Sequence, residues 1–148
     1  SSLEHLKNDE EFLNINEILE GVLRKYEVLA NQKNIKINNC LSNEKIYIGK
    51  TALKIILSNL ISNAVKYADE SGTINIGVDE EWLYIENSYG NKKSIDMEKL
   101  FEVKFDLNKE TSNGLGLYIV SNLLNNYNIK YKALQNESCF VFKIELSI

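Results

Sequence analysis

Hydrophobic and polar residues follow two different periods along this chain, and each period predicts a different kind of element. Apolar residues recur every three to four positions in three segments, which predicts amphipathic helices over residues 16–30, 50–68 and 114–124. Shorter segments alternate apolar and polar residues or are rich in β-branched and aromatic residues, which predicts strands. The predicted strands cover residues 12–15, 35–40, 45–48, 73–78, 82–86, 129–134 and 139–146.

The order of these elements indicates an α/β fold. We expect a two-layer α/β sandwich, in which one mixed, mostly antiparallel sheet carries helices on one face. Asn16 is the predicted N-cap of the first helix. Residues 1–10 are polar and are predicted to be the stub of a preceding helix, so the domain itself is assigned to residues 11–148.

Residues 88–113 form a long polar stretch that is interrupted by a few apolar side chains. A loop of this length inside a compact domain usually has a function, and it is often a lid over a binding site. We therefore expect a lid between the hairpin and the last helix.

Composition narrows the function classes. The 148 residues carry 17 basic and 21 acidic side chains, a net charge of −4, which disfavours a nucleic-acid-binding protein. No apolar run reaches the length that spans a membrane. Cys40 and Cys139 are isolated in the sequence, and we expect them to be reduced and in or near the core.

The central helix, residues 50–68, carries an unusual polar stripe. Asn63 lies one turn after Asn59, and Lys66 follows it on the same side. Asn is a poor helix former, so two in register need an explanation. Either the stripe is a solvated face of an Asn-rich chain, or its carboxamide oxygens bind a hard cation such as Mg²⁺ that carries phosphates. The helix alone leaves both readings open.

A second signal is Gly114-x-Gly116 before the last predicted helix. Glycines let a backbone approach an anion closely, and a helix N-terminus offers free N–H groups and a positive dipole end. The same glycines would also serve close helix packing, so this signal is weak by itself.

Three motifs in sequence order carry a resemblance to a known family. They are Asn59-Leu-Ile-Ser-Asn63-Ala-Val-Lys66-Tyr67, Leu100-Phe101-Glu-Val-Lys-Phe105 and Asn113-Gly-Leu-Gly-Leu-Tyr-Ile-Val120. In this combination the chain resembles the ATP-binding catalytic domain of sensor histidine kinases, from about residue 12 to the end. That domain has the Bergerat fold and belongs to the superfamily of gyrase, the heat-shock chaperone ATPases and the mismatch-repair ATPases.

The resemblance implies ATP and Mg²⁺ as cofactors, and it implies a role for each matching residue. Asn63 would coordinate Mg²⁺, Asn59 would support it or reach a phosphate, and Lys66 would offset phosphate charge. Tyr67 and Asn87 would line the nucleotide pocket, with Asn87 at the position that faces the adenine amino group. The lid motif would contribute Phe101 and Phe105, with Lys104 and Lys109 as basic lid residues. The remaining cofactor-binding residues would be Gly90, Gly114, Leu115 and Gly116.

One motif departs from the family. The family runs Asp-x-Gly-x-Gly where this chain has Asn87-Ser-Tyr-Gly-Asn91. Asn87 can still accept a hydrogen bond, but it lacks the charge of an aspartate, which is worth about 1 kcal/mol. Gly90 is then the glycine that would substitute in a shifted loop. This departure keeps open the alternative of a degenerate domain that docks on its helical partner without ATP turnover.

The resemblance also implies partners and a setting. The phosphate acceptor would be a histidine on a separate dimerisation domain of the same parent protein, and a response regulator would act downstream. His5 is too close to the domain to be that acceptor. The fragment is expected to be monomeric and cytoplasmic, with a membrane-bound sensor as its parent. A hydrolase or serine kinase of the superfamily would need a glutamate where this chain has Asn59, so that reading is disfavoured.

Overall fold

A computed structural model describes residues 9–90 and 113–146, with only the backbone of residues 113–115 described. Each of the ten predicted elements is present, with no boundary shifted by more than two residues. The helices are α1 (Ile15–Gln32), α2 (Lys50–Tyr67) and α3 (Asn113–Asn126). The strands are β1 (Glu10–Asn14), β2 (Lys36–Asn39), β3 (Lys45–Gly49), β4 (Thr73–Asp79), β5 (Trp82–Ser88), β6 (Tyr131–Gln135) and β7 (Cys139–Glu145).

The strands form two sheets. The main sheet has the order β2-β4-β5-β7-β6, with β2 and β4 parallel and the other pairs antiparallel. β1 and β3 pair with each other in a separate antiparallel ribbon, so the expectation of a single sheet is wrong. Alternation identifies a strand and its buried face, but it does not identify the hydrogen-bonding partner.

One face of the main sheet is covered by helices, as the two-layer prediction requires. Every second residue of the central strands is buried on that face, under α2 and α3. α1 packs on α2 beside it. The buried residues of these strands are Ile74, Ile76, Leu83, Ile85, Asn87, Phe140, Phe142 and Ile144. The opposite face, which we call the open face, has no helix on it among the described elements.

α2 is the central helix of the covered layer. It begins after Gly49, whose backbone is extended, and ends at Tyr67, because Ala68 returns to an extended conformation. Its apolar stripe is fully buried, which at about 1.5–3 kcal/mol per large side chain makes it a major contributor to stability. The stripe comprises Leu53, Ile56, Leu57, Leu60, Ile61, Ala64 and Val65.

Two local predictions are wrong. The N-cap of α1 is Asn14, whose side chain accepts a hydrogen bond from the Glu17 amide at 3.1 Å, so the cap lies two residues before Asn16. Asn16 instead bonds Glu20, one turn along the helix. Glu10 begins β1, so a helical stub cannot include it, and residues 1–8 lie outside the described residues.

Two further observations concern the cysteines and the length of the helices. Cys139 is partly buried, but Cys40 is exposed, so its predicted place in or near the core is wrong. Both are free thiols. Among the described residues, no helix is both long enough and apolar enough to cross a membrane.

Candidate functional site

A narrow pocket lies between α2, α3 and the covered face of the main sheet. Its cavity volume is only about 10 Å³, roughly the space of one water molecule, and its walls are mostly apolar. Two carboxamides and one phenol interrupt these apolar walls. The lining residues are Leu60, Asn63, Ala64, Tyr67, Ile85, Asn87, Leu117, Phe140 and Phe142.

Asn63 is the most informative residue of this pocket. It is only 8% exposed, so the reading of the Asn stripe as a solvated face is wrong for this residue. Within the described part of the chain, its buried Nδ2 has no hydrogen-bond partner. A buried unpaired donor costs about 1–3 kcal/mol, and such a group in a native structure calls for a ligand or another partner.

Asn59 lies one turn earlier and faces α3. Its Nδ2 donates to the carbonyl of Ile55 at 2.8 Å, which directs its Oδ1 away from its own helix backbone. A Cβ placed on Gly116 would lie 3.0 Å from that Oδ1. The glycine therefore allows α2 and α3 to approach closely at this point, and it brings the two polar motifs together.

Asn87 lies at the end of β5 and is 2% exposed. Its Nδ2 donates to the Ser88 carbonyl at 3.2 Å, which leaves its oxygen as the acceptor. Tyr67 is half-buried above it and forms an edge contact with Tyr89, with ring centroids 6.3 Å apart. Thus Asn63, Tyr67 and Asn87 share one pocket.

The other predicted site residues lie at the rim or outside the described part. Lys66 is exposed in the last turn of α2, and the amide of exposed Gly90 donates to the Asp69 carboxylate at 2.9 Å. Gly114 and Gly116 lie in the first turn of α3, which begins at Asn113, one residue before the predicted start. The side chain of Leu115 is not among the described ones. The lid residues Phe101, Phe105, Lys104 and Lys109 also lie outside the described residues.

Sequence reasoning missed several residues of the site. Phe140 and Phe142 form a wall of the pocket, and Asp69 holds Gly90 at its rim. The alternation in residues 139–146 places both phenylalanines on one face, but it gives no sign that a pocket lies over that face. Asp69 makes its contact across twenty-one positions, and no local pattern predicts such a contact.

A larger groove lies on the open face of the sheet, with a cavity volume of about 740 Å³. Its polar side chains bond to one another. Asn38 donates to Asn75 at 2.8 Å, Asn75 donates to Glu86 at 3.2 Å, and the thiol of Cys139 lies 3.6 Å from the other oxygen of Glu86. Partial burial raises the pKa of the Cys139 thiol, and the negative charge of Glu86 raises it further.

Comparison with known proteins places the chain in a family. The family described as "Histidine kinase-, DNA gyrase B-, and HSP90-like ATPase" matches residues 49–148, more than half of the chain. The chain belongs to this family. The match includes α2, α3 and the main-sheet strands β4 to β7, which are the elements that build the pocket.

Individual relatives are histidine kinases. The sensor histidine protein kinase HK06 of Streptococcus pneumoniae is 35% identical over 141 residues, which cover 92% of this chain and 32% of HK06. The catalytic domain of the histidine kinase ThkA superposes with a TM-score of 0.69 at 22% identity, covering 93% of this chain and 95% of that one. The histidine kinase AdeS of Acinetobacter baumannii superposes with a TM-score of 0.70 at 18% identity, covering 99% of this chain and 75% of that one.

These likenesses confirm two predictions. The chain is similar to the ATP-binding catalytic domain of sensor histidine kinases, and its fold is the two-layer α/β sandwich of that family. The chain spans about a third of the length of the curated kinase HK06.

Proposed function

We propose that this domain binds Mg·ATP in the pocket between α2 and α3 and transfers the γ-phosphate to a histidine on a separate dimerisation domain. The observation that carries this proposal is Asn63, a buried carboxamide whose Nδ2 has no partner among the described residues, in a domain of this ATPase family. A carboxamide oxygen can coordinate Mg²⁺, and the NH₂ group of the same side chain can donate to a phosphate oxygen. The oxygen and the nitrogen of the Asn63 carboxamide would then each have a partner.

The adenine would occupy the apolar end of the pocket. Ile85 and Phe142 provide an apolar surface there, and the oxygen of Asn87 can accept a hydrogen bond from the exocyclic amino group. Tyr67 would cover the base from the end of α2. Because Asn87 is uncharged, this bond would be weaker than one to an aspartate by about 1 kcal/mol.

The phosphates would extend towards the start of α3. The first turn of α3 carries Gly114 and Gly116, so backbone N–H groups and the positive helix end can face an anion. Lys66 would offset phosphate charge from the rim, and Asn59 would support the metal site. In this proposal Leu115 would lie beside the phosphates and Gly90 in the loop beside the base. The lid would contribute Phe101 and Phe105.

Catalysis would consist mainly of positioning and charge neutralisation. Phosphoryl transfer passes through a loose transition state, so a domain that holds Mg·ATP in line with an acceptor needs little further chemistry. Asn59 stands where hydrolases of the superfamily need a general base, and an amide cannot take a proton from water. This favours transfer to histidine over hydrolysis.

The partners follow from the same proposal. They would be a histidine-bearing dimerisation domain of the parent protein and a response regulator downstream. The isolated domain would be monomeric, since the family dimerises through that helical domain. A cytoplasmic position and a membrane-bound parent belong to the proposal as well.

Calorimetric titration of the chain with Mg·ATP tests nucleotide binding. We expect saturable heat for the wild type and strongly reduced heat for Asn63→Asp, which adds a negative charge beside the proposed phosphate site. Gly114→Ala should also reduce the heat, because it adds a methyl group to a glycine that is proposed to face the phosphates. No heat for the wild type at millimolar nucleotide would instead favour a domain that docks without ATP.

A second assay separates the kinase from a serine kinase. The full-length parent is incubated with γ-labelled ATP, and the labelled protein is then treated with acid. We expect the label to be lost, as it is from phosphohistidine. Label that survives acid would contradict transfer to histidine.

A further inference from the structure

Lys33 makes an unusual set of contacts with the end of α2. Its ammonium donates to the carbonyls of Val65, Lys66 and Ala68, each at 2.9 Å. Lys33 follows the last residue of α1, and Val65 lies thirty-two positions later near the end of α2. The contact therefore joins the ends of two helices. Three acceptors thus converge on one cation.

The end of α2 needs such a donor. The last carbonyls of a helix have no intrahelical partner, and they form the negative end of the helix dipole. At this end Ala68 turns to an extended conformation with φ −61° and ψ 144°, so the helix does not continue. A lysine that satisfies several of these carbonyls therefore fixes where the last turn ends and how it is oriented.

This last turn carries the rim of the pocket. Tyr67 lines the pocket beside Asn63 and Asn87. Two residues later, Asp69 accepts the Gly90 amide through its carboxylate at 2.9 Å, and its own amide donates to the Ser88 carbonyl at 3.3 Å. The orientation of the turn is thus transmitted to Tyr67 and to the loop after β5.

We propose that Lys33 is a positioning residue of the nucleotide pocket. Its ammonium holds the C-terminal turn of α2, and through Tyr67 and Asp69 it holds the base-binding end of the pocket in its binding conformation. This inference rests on the proposed function, because it assigns Lys33 to the binding of the nucleotide that the pocket would take.

Backbone contacts make the side chain of Lys33 a suitable target for substitution. The amide of Ser71 donates to the carbonyl of Lys33 at 2.8 Å, and the amide of Lys36 donates to Gly72 at 3.0 Å. These bonds join the same two segments without the ammonium. We therefore expect Lys33→Met to fold, with a looser last turn of α2 and an intact main sheet.

The test compares three variants with the wild type. Lys33→Met removes the charge and keeps most of the aliphatic chain, and Lys33→Arg restores a cation. Lys132→Met is the matched control, because Lys132 lies on β6 and does not line the pocket. Its ammonium lies 4.3 Å from the centroid of the Trp82 ring on β5. Each protein is measured for its Mg·ATP dissociation constant, its melting temperature and the amide resonance of Gly90 in a ¹⁵N–¹H spectrum.

We expect Lys33→Met to shift the Gly90 resonance and to weaken Mg·ATP binding about tenfold, as it would if the binding conformation were populated to about a tenth. Lys33→Arg should bring the Gly90 resonance and the Mg·ATP affinity most of the way back to the wild-type values. Lys132→Met should change neither the resonance nor the affinity. An unchanged Gly90 resonance, or equal weakening by Lys132→Met at a matched change in melting temperature, would overturn the inference. Should Lys33→Met not fold, Lys33→Gln takes its place with the same expected changes.

The failure of the proposed function would be visible separately. If the wild type does not bind Mg·ATP, the proposed function fails, and the Gly90 resonance alone then decides whether Lys33 orders the rim. If the wild type binds and Lys33→Met binds equally well, the positioning role fails while the proposed function stands.

Discussion

The two sides of the main sheet differ in whether their polar side chains have hydrogen-bond partners. On the open face, Asn75 bonds to both Asn38 and Glu86 beside a groove of about 740 Å³. On the covered face, Asn63 is buried in a pocket of about 10 Å³, and its Nδ2 has no partner among the residues that the structure describes. The polar side chains named on the open face therefore have partners, whereas the buried donor of Asn63 has none among the described residues.

We therefore propose the binding site from its unpaired hydrogen-bond donor and not from the volume of the cavity. Water can replace a missing partner on the open face, where the side chains are partly exposed. It cannot do so easily for an atom buried between two helices and a sheet, so the free-energy cost of the unpaired donor remains until a ligand binds. The three predictions below test this contrast, from the largest expected effect to the smallest.

The first prediction replaces an amide on each face. Asn63→Leu should weaken Mg·ATP binding by about 100-fold or more, because a metal ligand and a charge-assisted hydrogen bond are lost, worth about 3 kcal/mol. It should leave the free energy of unfolding unchanged or raise it by about 1 kcal/mol, because a buried unpaired donor is removed. Calorimetry and denaturant unfolding measure the two quantities.

The matched variant on the open face is Asn75→Leu. It should lower stability by about 1 kcal/mol, because it breaks the bonds to Asn38 and Glu86, and it should leave nucleotide affinity unchanged. If Asn63→Leu destabilised the fold and Asn75→Leu abolished binding, the contrast between the two faces would be wrong.

The second prediction concerns the contact between α2 and α3. Gly116→Ala would place a Cβ 3.0 Å from the Oδ1 of Asn59, so the asparagine must move. We expect nucleotide affinity to fall about tenfold because the polar motif is displaced. The stability change should stay within about 1 kcal/mol, because alanine gains helix propensity over glycine.

Asn59→Ala supplies the control for this contact. In that background the side chain is too short to meet the new methyl group, so adding Gly116→Ala should cost no further affinity. Additive losses in the double variant would show that Gly116 acts through something other than Asn59.

The third prediction has the smallest effect and concerns the thiols of the open face. Because burial and Glu86 raise the pKa of Cys139, it should react with iodoacetamide more slowly than exposed Cys40 near neutral pH. Glu86→Gln should speed its reaction by removing the negative charge. Peptide mass spectrometry over time measures both rates, and equal rates at the two cysteines would contradict the assignment.

The sign of the linked stability effect follows from the same shift. The pKa of Cys139 is higher in the folded chain than in the unfolded one, because the thiolate is disfavoured on folding. Its contribution to stability is therefore present below the unfolded pKa and lost as the pH rises through the folded pKa. Cys139→Ala should make alkaline destabilisation slightly less steep.

Local sequence patterns predict the elements of this fold but only part of its assembly. The periods of residues 50–68 and 139–146 predict α2 and β7 closely, because burial on one face dictates their spacing. The separate pairing of β1 with β3 depends on contacts between distant segments, which a local pattern does not contain. The sequence does not distinguish Asn14 from Asn16 as the N-cap of α1, because asparagine is a favourable N-cap residue at either position. Only the backbone geometry shows that Asn14 is the cap.

The same distinction holds for the site. Of the predicted site residues that the structure describes, Asn63, Tyr67 and Asn87 line one pocket, whereas Asn59, Lys66, Gly90 and Gly116 do not line it. The sequence could not predict that Asn63 is buried, because its position on the helix is also compatible with a solvated stripe. Nor could it predict Lys33, whose three acceptors lie on another helix.

The most direct test of the account is a crystal structure of the chain with Mg²⁺ and a non-hydrolysable ATP analogue. We predict that the base lies between Tyr67 and the phenylalanine wall beside Asn87, with Mg²⁺ about 2.1 Å from the Oδ1 of Asn63. Nucleotide bound in the open-face groove, or in the pocket with Asn63 still unpaired, would contradict it.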